Sequence, residues 1–319
     1  MDPCEATAEN TDTNRRQSVS ELVVGMIGIG QLGLPIAANL ISAGFKVVGF
    51  RRNDRAAFVA QGGQAMESPS DVAKAADVLL LCLPGESAQL DVLDGPQGVL
   101  AALAPGKTVI ELGTYTREFK QAQALRIEAT GAQVLEVEVS GSPALVTQRK
   151  AALYIGGHAS VLDGCSKVLE GITDSRFHIG PFGSAVAVKL IANYLLTIHT
   201  LAAAEAVNMG RRAGFDPKQL VEVLRQGAGG STMLTVRGPM MAEGTFSPAP
   251  GPFKTLEKYL DMGANLADEL GCATPLFSAA LPYFRRALEG GMEDLDISAV
   301  IQLIEADSVA KPTNQVEQK

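Results

Sequence analysis

The chain has 319 residues, of which 46% are hydrophobic and 19% charged, with no Trp and a formal net charge of −8. That length fits two domains with aliphatic cores, and an acidic chain without a basic block offers no electrostatic footprint for nucleic acid. No apolar stretch of membrane-spanning length runs without a polar interruption, and the first twenty residues lack the apolar segment of a signal peptide, so a cytoplasmic protein without membrane partners is expected.

Residues 1–20 are polar and expected to be disordered. Short β-branched runs at 23–28, 46–50, 78–83 and 108–112 read as buried strands, with helical patterns between them, for example at 34–42 and 55–61. Further strands are predicted at 133–139, 152–155 and 176–179. This alternation implies right-handed βαβ units and a parallel sheet covered by helices on both faces. From about 183 to 213 runs one long Ala/Leu/Ile helix without proline, followed by helical patterns at 217–226, 256–269, 275–289 and 297–307. No strand pattern follows Gly180. The expected fold is α/β: a Rossmann-type dinucleotide-binding domain over 21–181, a long connecting helix, and an all-α C-terminal domain within 182–310, with a polar tail at 311–319.

Cys4, Cys82, Cys165 and Cys272 lie far apart with no C-x-x-C pairing, and His158, His178 and His199 are equally dispersed. Reduced, structural cysteines and no metal site are expected.

The run Gly28-Ile29-Gly30-Gln31-Leu32-Gly33 carries G-x-G-x-x-G between a predicted strand and a predicted helix. In that context Gly28 serves a tight turn, Gly30 lets backbone approach a pyrophosphate, and Gly33 lets helix and strand pack closely. The helix N-terminus adds free N–H donors and a positive dipole end. Gly28, Gly30, Gln31, Leu32 and Gly33 are therefore assigned to a dinucleotide. After the second strand, where an NAD site usually places an acidic residue, stand Arg51-Arg52-Asn53-Asp54. Two guanidiniums suit a 2′-phosphate, so Arg51, Arg52 and Asn53 predict NADP(H) over NAD(H). The competing reading puts Asp54 on the ribose.

Lys189 and Asn193 are four residues apart in the long helix, so an ammonium and a carboxamide share one face of an apolar element. A buried lysine needs a justification. Proton transfer is one, and a lysine snorkelling from a core helix is the other.

Several ordered motifs resemble those of the β-hydroxyacid dehydrogenases, the family of 3-hydroxyisobutyrate dehydrogenase and of tartronate, glyoxylate and succinic semialdehyde reductases. The run from Gly25 to Leu40 is similar to the family's N-terminal signature, and Val139-Ser140-Gly141 to its substrate-binding V-S-G. Gly180-Pro181-Phe182-Gly183 through Lys189 to Asn193 is similar to its catalytic segment, and Glu205-Ala206-Val207-Asn208 to the continuation. The resemblance extends from about Val24 to Ile301. It implies hydride transfer between a nicotinamide and a β-hydroxyacid, semialdehyde or related carbonyl compound, bound in a cleft between the domains. It further implies Lys189 as proton carrier, Asn193 as substrate holder, and Ser140, Gly141 and Ser142 as the substrate-binding loop for a carboxylate. Leu83, Pro84 and Thr114 would line the cofactor, Thr114 near the nicotinamide end, and Lys258 would close over it. A homodimer or homotetramer is implied as well. In reduction, Lys189 as ammonium can stabilise the charge developing on the carbonyl oxygen and donate the proton; in oxidation it must first be neutral.

Four departures from the family pattern stand out. Residues 142–150 replace a Gly-containing stretch with bulkier residues. Glu136 and Glu138 stand where Asp and Pro are frequent, Ala192 replaces the first of two usual asparagines, and Tyr259 replaces an Asp. These changes point to an altered substrate rather than lost catalysis. The competing readings are an imine reductase of the same architecture, a decarboxylating sugar-phosphate dehydrogenase and a non-catalytic NADP-binding scaffold.

Overall fold

The computed structural model describes residues 22–308, so Cys4, the segment 1–20 and the tail 311–319 lie outside the described residues. The aliphatic runs form strands β1 Val23–Ile27, β2 Lys46–Phe50, β3 Gln64–Ala65, β4 Val78–Leu81, β5 Thr108–Glu111, β6 Gln133–Ser140, β7 Ala152–Gly156 and β8 Ser175–Gly180. They make one sheet in the order β3-β2-β1-β4-β5-β6-β7-β8. Side chains alternate between two apolar layers, as the strand period of two demands. Val24, Met26, Val78 and Leu80 enter one core, and Ile27, Leu79 and Leu81 enter the other. Helices α1 Gly33–Ser42 and α7 Ala159–Ile172 cover the first face; α3 Pro69–Ala75 and α5 Arg117–Glu128 cover the second. Shorter helices α2 Ala56–Ala60, α4 Glu86–Asp94 and α6 Pro143–Thr147 complete the connections.

Two strands depart from the expected parallel sheet, β7 and β8: β7 runs antiparallel to β6, with Val137 opposite Ile155, and β8 shares its direction. The chain between β6 and β7 holds only the short α6, and a parallel crossover needs a dozen or more residues. The long helix α7 then returns the chain, so β8 pairs parallel to β7.

The chain divides into two compact units after Lys189, within α8 Ser184–Arg212. The second unit is helical: the rest of α8, then α9 Pro217–Leu224, α10 Thr232–Glu243, α11 Phe253–Glu269, α12 Pro275–Glu289 and α13 Val300–Asp307. By length and composition α8 could cross a membrane, yet its Leu201, Ala204 and Val207 are buried in the helical core with Leu234, Phe253 and Phe284. Helix α10 has no counterpart among the predicted elements, because Gly238-Pro239 argues against a helix interior. Ser231 opens it by accepting from Leu234 N at 3.0 Å. Gly238 is required by packing, since a Cβ there would stand 2.7 Å from Val221 Cγ1.

Candidate functional site

The first six strands follow the doubly wound order, in which the connections reverse between β1 and β4 and a dinucleotide binds across the carboxyl ends. Those ends carry the predicted residues: Gly28 after β1, Arg51, Arg52 and Asn53 after β2, Leu83 and Pro84 after β4, Thr114 after β5 and Ser140 ending β6. The structure brings all of them to one edge of the sheet.

The glycine loop fits a pyrophosphate. Gly28 has φ +97°, and a Cβ on it would lie 2.0 Å from the Cys82 carbonyl oxygen. A Cβ on Gly33 would lie 2.1 Å from the Gly28 oxygen, so helix α1 sits hard against the loop. A Cβ on Gly30 would meet nothing within 4 Å, which leaves that backbone accessible to a ligand. Beyond β2, Arg51, Arg52 and Asn53 are exposed. Arg55 is held instead by the protein, donating to Arg51 O at 2.8 Å and Met66 O at 2.7 Å. Asp54 Oδ1 accepts from Ala56 N at 2.8 Å, in the turn that precedes α2.

Lys189 Nζ donates to the carbonyl of Val139, the residue before Ser140, at 2.8 Å. The helix carrying it is capped by a side chain from the same strand. Glu136 Oε2 accepts from Gly183 N at 2.8 Å and Ala185 N at 3.0 Å, and its Oε1 accepts from Val186 N at 3.2 Å. A carboxylate satisfies the orphan donors and favours the positive end of the helix dipole. β6 thus anchors both the start of α8 and the lysine one turn along it. Gly141, with φ +152°, would place a Cβ 3.0 Å from Ala151 Cβ, and Ser142 Oγ accepts from Leu145 N at 3.4 Å to cap α6. In the helical unit, Asn193 is buried and its Nδ2 has no hydrogen-bond partner among the described residues. Lys258 Nζ lies 5.1 Å from the centroid of the Tyr259 ring.

A buried ionic cluster that the motifs did not reveal lies behind Thr114. Lys120 Nζ contacts Glu138 Oε1 at 2.5 Å and Glu136 Oε1 at 3.2 Å, with all three side chains fully buried, and donates to Gly113 O at 2.8 Å. Thr114 Oγ1 donates to Glu138 Oε2 at 2.5 Å. Glu111 accepts from Gly113 N at 2.8 Å and contacts Gln89 Nε2. Burial pushes the Glu111 carboxyl up to about 7, with Lys120 opposing. Burial also raises Glu138 against the pull of Lys120. Lys120 is held protonated above its usual range, the carboxylates outweighing its own desolvation. The signal available in sequence was two acidic residues at i and i+2 in a strand of a doubly covered sheet, where both faces are dry and a charge needs a partner.

The doubly wound sheet, the glycine loop and the residues at its carboxyl edge define an NAD(P)-binding oxidoreductase. Residues 23–180 match the family described as the NAD binding domain of 6-phosphogluconate dehydrogenase, and 183–304 that described as NAD-binding of NADP-dependent 3-hydroxyisobutyrate dehydrogenase. L-threonate dehydrogenase of Cupriavidus necator is 31% identical over 88% of this chain and 95% of its own. Glyoxylate/succinic semialdehyde reductase 2 of Arabidopsis thaliana is 28% identical over 94% of this chain and 84% of its own. The crystal structure of a 3-hydroxyisobutyrate dehydrogenase from Salmonella typhimurium superposes with a TM-score of 0.80 at 27% identity, covering 88% of this chain and 99% of that one. The chain belongs to the 3-hydroxyisobutyrate dehydrogenase-like β-hydroxyacid dehydrogenase family. It also matches the human cytokine-like nuclear factor N-PAC at 26% identity, spanning about half (53%) of that protein's length. An imine reductase from Myxococcus stipitatus, at 15% identity and a TM-score of 0.61, shares the fold alone.

Proposed function

We propose that this NAD(P)-dependent dehydrogenase uses NADP(H) in preference to NAD(H) and carries its reaction proton on Lys189. The observation that supports this most is the double hold of β6 on α8: Glu136 caps the helix while the Val139 carbonyl holds the Lys189 ammonium beside Ser140-Gly141. A bound nicotinamide supplies hydride transfer to or from the substrate carbon. The protein residues orient the substrate and move one proton. Lys189 Nζ donates to the developing alkoxide in reduction and takes the proton back in oxidation. Ser140 and the backbone N–H groups near Gly141 receive a substrate carboxylate. Asn193, whose amide nitrogen is buried without an acceptor among the described residues, orients a substrate oxygen; a buried polar atom left so costs about 1–3 kcal/mol, which a ligand oxygen would recover.

The preference for NADP(H) is supported by the exposure of Arg51 and Arg52 directly after β2, where two guanidiniums can meet a 2′-phosphate. The proposed substrate is a small carboxylate-bearing semialdehyde or hydroxyacid. In the relatives' names the substrates include a semialdehyde and a hydroxyacid. A homodimer or homotetramer in the cytoplasm completes the proposal, to be checked by light scattering and cell fractionation. The functional test is a spectrophotometric screen with NADPH and NADH over semialdehydes, hydroxyacids, aldehydes and cyclic imines. NADPH-dependent reduction of a semialdehyde acid is expected; turnover of cyclic imines alone would overturn the assignment.

A further inference from the structure

Lys120 and Glu138 are an expensive way to fill a core. Both side chains are fully buried, and an apolar pair of similar volume would pack the same space without desolvating two ions. What an apolar pair could not do is accept a hydrogen bond from Thr114. Thr114 Oγ1 lies 2.5 Å from Glu138 Oε2, and Lys120 Nζ lies 2.5 Å from the other oxygen of the same carboxylate. An ionised carboxylate can only accept. The single hydroxyl proton of Thr114 is therefore directed inward, so towards any ligand its oxygen can act only as an acceptor. Lys120 is itself immobilised by Gly113 O at 2.8 Å and Glu136 Oε1 at 3.2 Å, so the carboxylate beside it has a fixed counter-ion.

Thr114 follows β5, next to β4, on the far side of the topological switch from Arg51 and Arg52. A dinucleotide whose 2′-phosphate end lies over β2 would bring its nicotinamide towards β5. We propose that Lys120 and Glu138 are positioning residues that lock Thr114 as a hydrogen-bond acceptor, so that the protein selects a cofactor whose pyridine substituent donates N–H, a carboxamide over a ketone. This rests on the reading that Thr114 stands near the nicotinamide.

The test is calorimetric binding of NADP+ and of its methyl-ketone analogue, in which acetyl replaces the carboxamide, to the full chain. Four proteins are compared: the unaltered chain, Thr114→Val, Glu138→Gln and the double variant Lys120→Met/Glu138→Leu. The unaltered protein should favour the carboxamide roughly tenfold, the value of one well-placed hydrogen bond. The double variant keeps an apolar filling, and its Thr114 hydroxyl is free to turn outward and donate to the ketone, so the preference should fall close to parity. Glu138→Gln, which nearly preserves volume and can donate to Thr114, should shift the same way and serves if the double variant does not fold. The adenosine fragment bearing the 2′-phosphate should bind all four alike. A folded double variant and Glu138→Gln that both keep the original preference, while Thr114→Val loses it, would overturn the positioning role alone. A Thr114→Val protein with unchanged preference would overturn the placement of Thr114 and the proposal with it.

Discussion

Replacing Glu136 by Gln probes the joint that holds the Lys189 helix. The carboxylate offers two oxygens to three backbone N–H groups at 2.8, 3.0 and 3.2 Å and meets Lys120 at 3.2 Å. A carboxamide keeps one oxygen and turns an NH2 group against at least one of those donors. One buried donor left unsatisfied costs about 1–3 kcal/mol, and losing the negative charge at a helix N-terminus costs about 0.3–1 kcal/mol more. Lys120 retains Glu138, so the about 3–5 kcal/mol for a fully broken buried ion pair is a ceiling. The expected loss for Glu136→Gln is about 2–4 kcal/mol in the N-terminal unit. Because the chain has two units, a single unfolding transition is not assumed. Amide hydrogen exchange at Gly183, Ala185 and Val186 reads the joint locally, alongside urea unfolding. Protection there should fall, and kcat should fall with it because Lys189 rides one turn further along. Unchanged protection and an unchanged urea midpoint would refute the reasoning.

Three further outcomes follow from the same structure. The Glu111 carboxyl is raised from the ordinary 4.5 to about 7, so the folded state binds more protons than the unfolded state between those values. Stability from this group is therefore lost as pH rises through that window, by about 3 kcal/mol. Glu111→Gln should remove that slope, which urea unfolding from pH 4.5 to 8 would measure; identical slopes in both proteins would contradict it. Changing Arg51 and Arg52 to Ser should weaken NADPH roughly 10- to 100-fold, from the loss of charged hydrogen bonds. NADH should barely change, and equal losses for both cofactors in fluorescence titrations would remove the 2′-phosphate assignment. Gly28→Ala should lower the thermal midpoint and abolish cofactor binding, since its Cβ would fall 2.0 Å from a backbone oxygen; a variant that still binds NADPH would show the turn can relax.

The strands and their layers were legible because aliphatic runs bounded by turns leave few alternatives: the predicted 46–50 and 275–289 coincide with β2 and α12. The glycine loop was legible for the same reason, since each glycine answers a separate steric demand. The reversal of β7 was not, because its cause is the shortness of the 141–151 link rather than any residue pattern. Helix α10 was hidden by Gly238-Pro239, where tertiary contact with Val221 overrides local preference. The ionic cluster was hidden for a deeper reason. Nothing in the sequence around Lys120 marks it for burial, and only the fold brings it to Glu136 and Glu138, two acidic residues that stood out in sequence merely as departures from a motif.

Lys189 carries the central claim, and single-turnover reduction by Lys189→Ala tests it most directly. With a semialdehyde that the unaltered protein turns over, the rate of NADPH oxidation should fall roughly 10²- to 10⁴-fold, the usual contribution of a positioned general acid. NADPH affinity, measured on the same sample, should stay within about twofold, because Lys189 bonds to Val139 O on the strand that ends at Ser140. A Lys189→Ala protein that keeps its single-turnover rate would contradict the account.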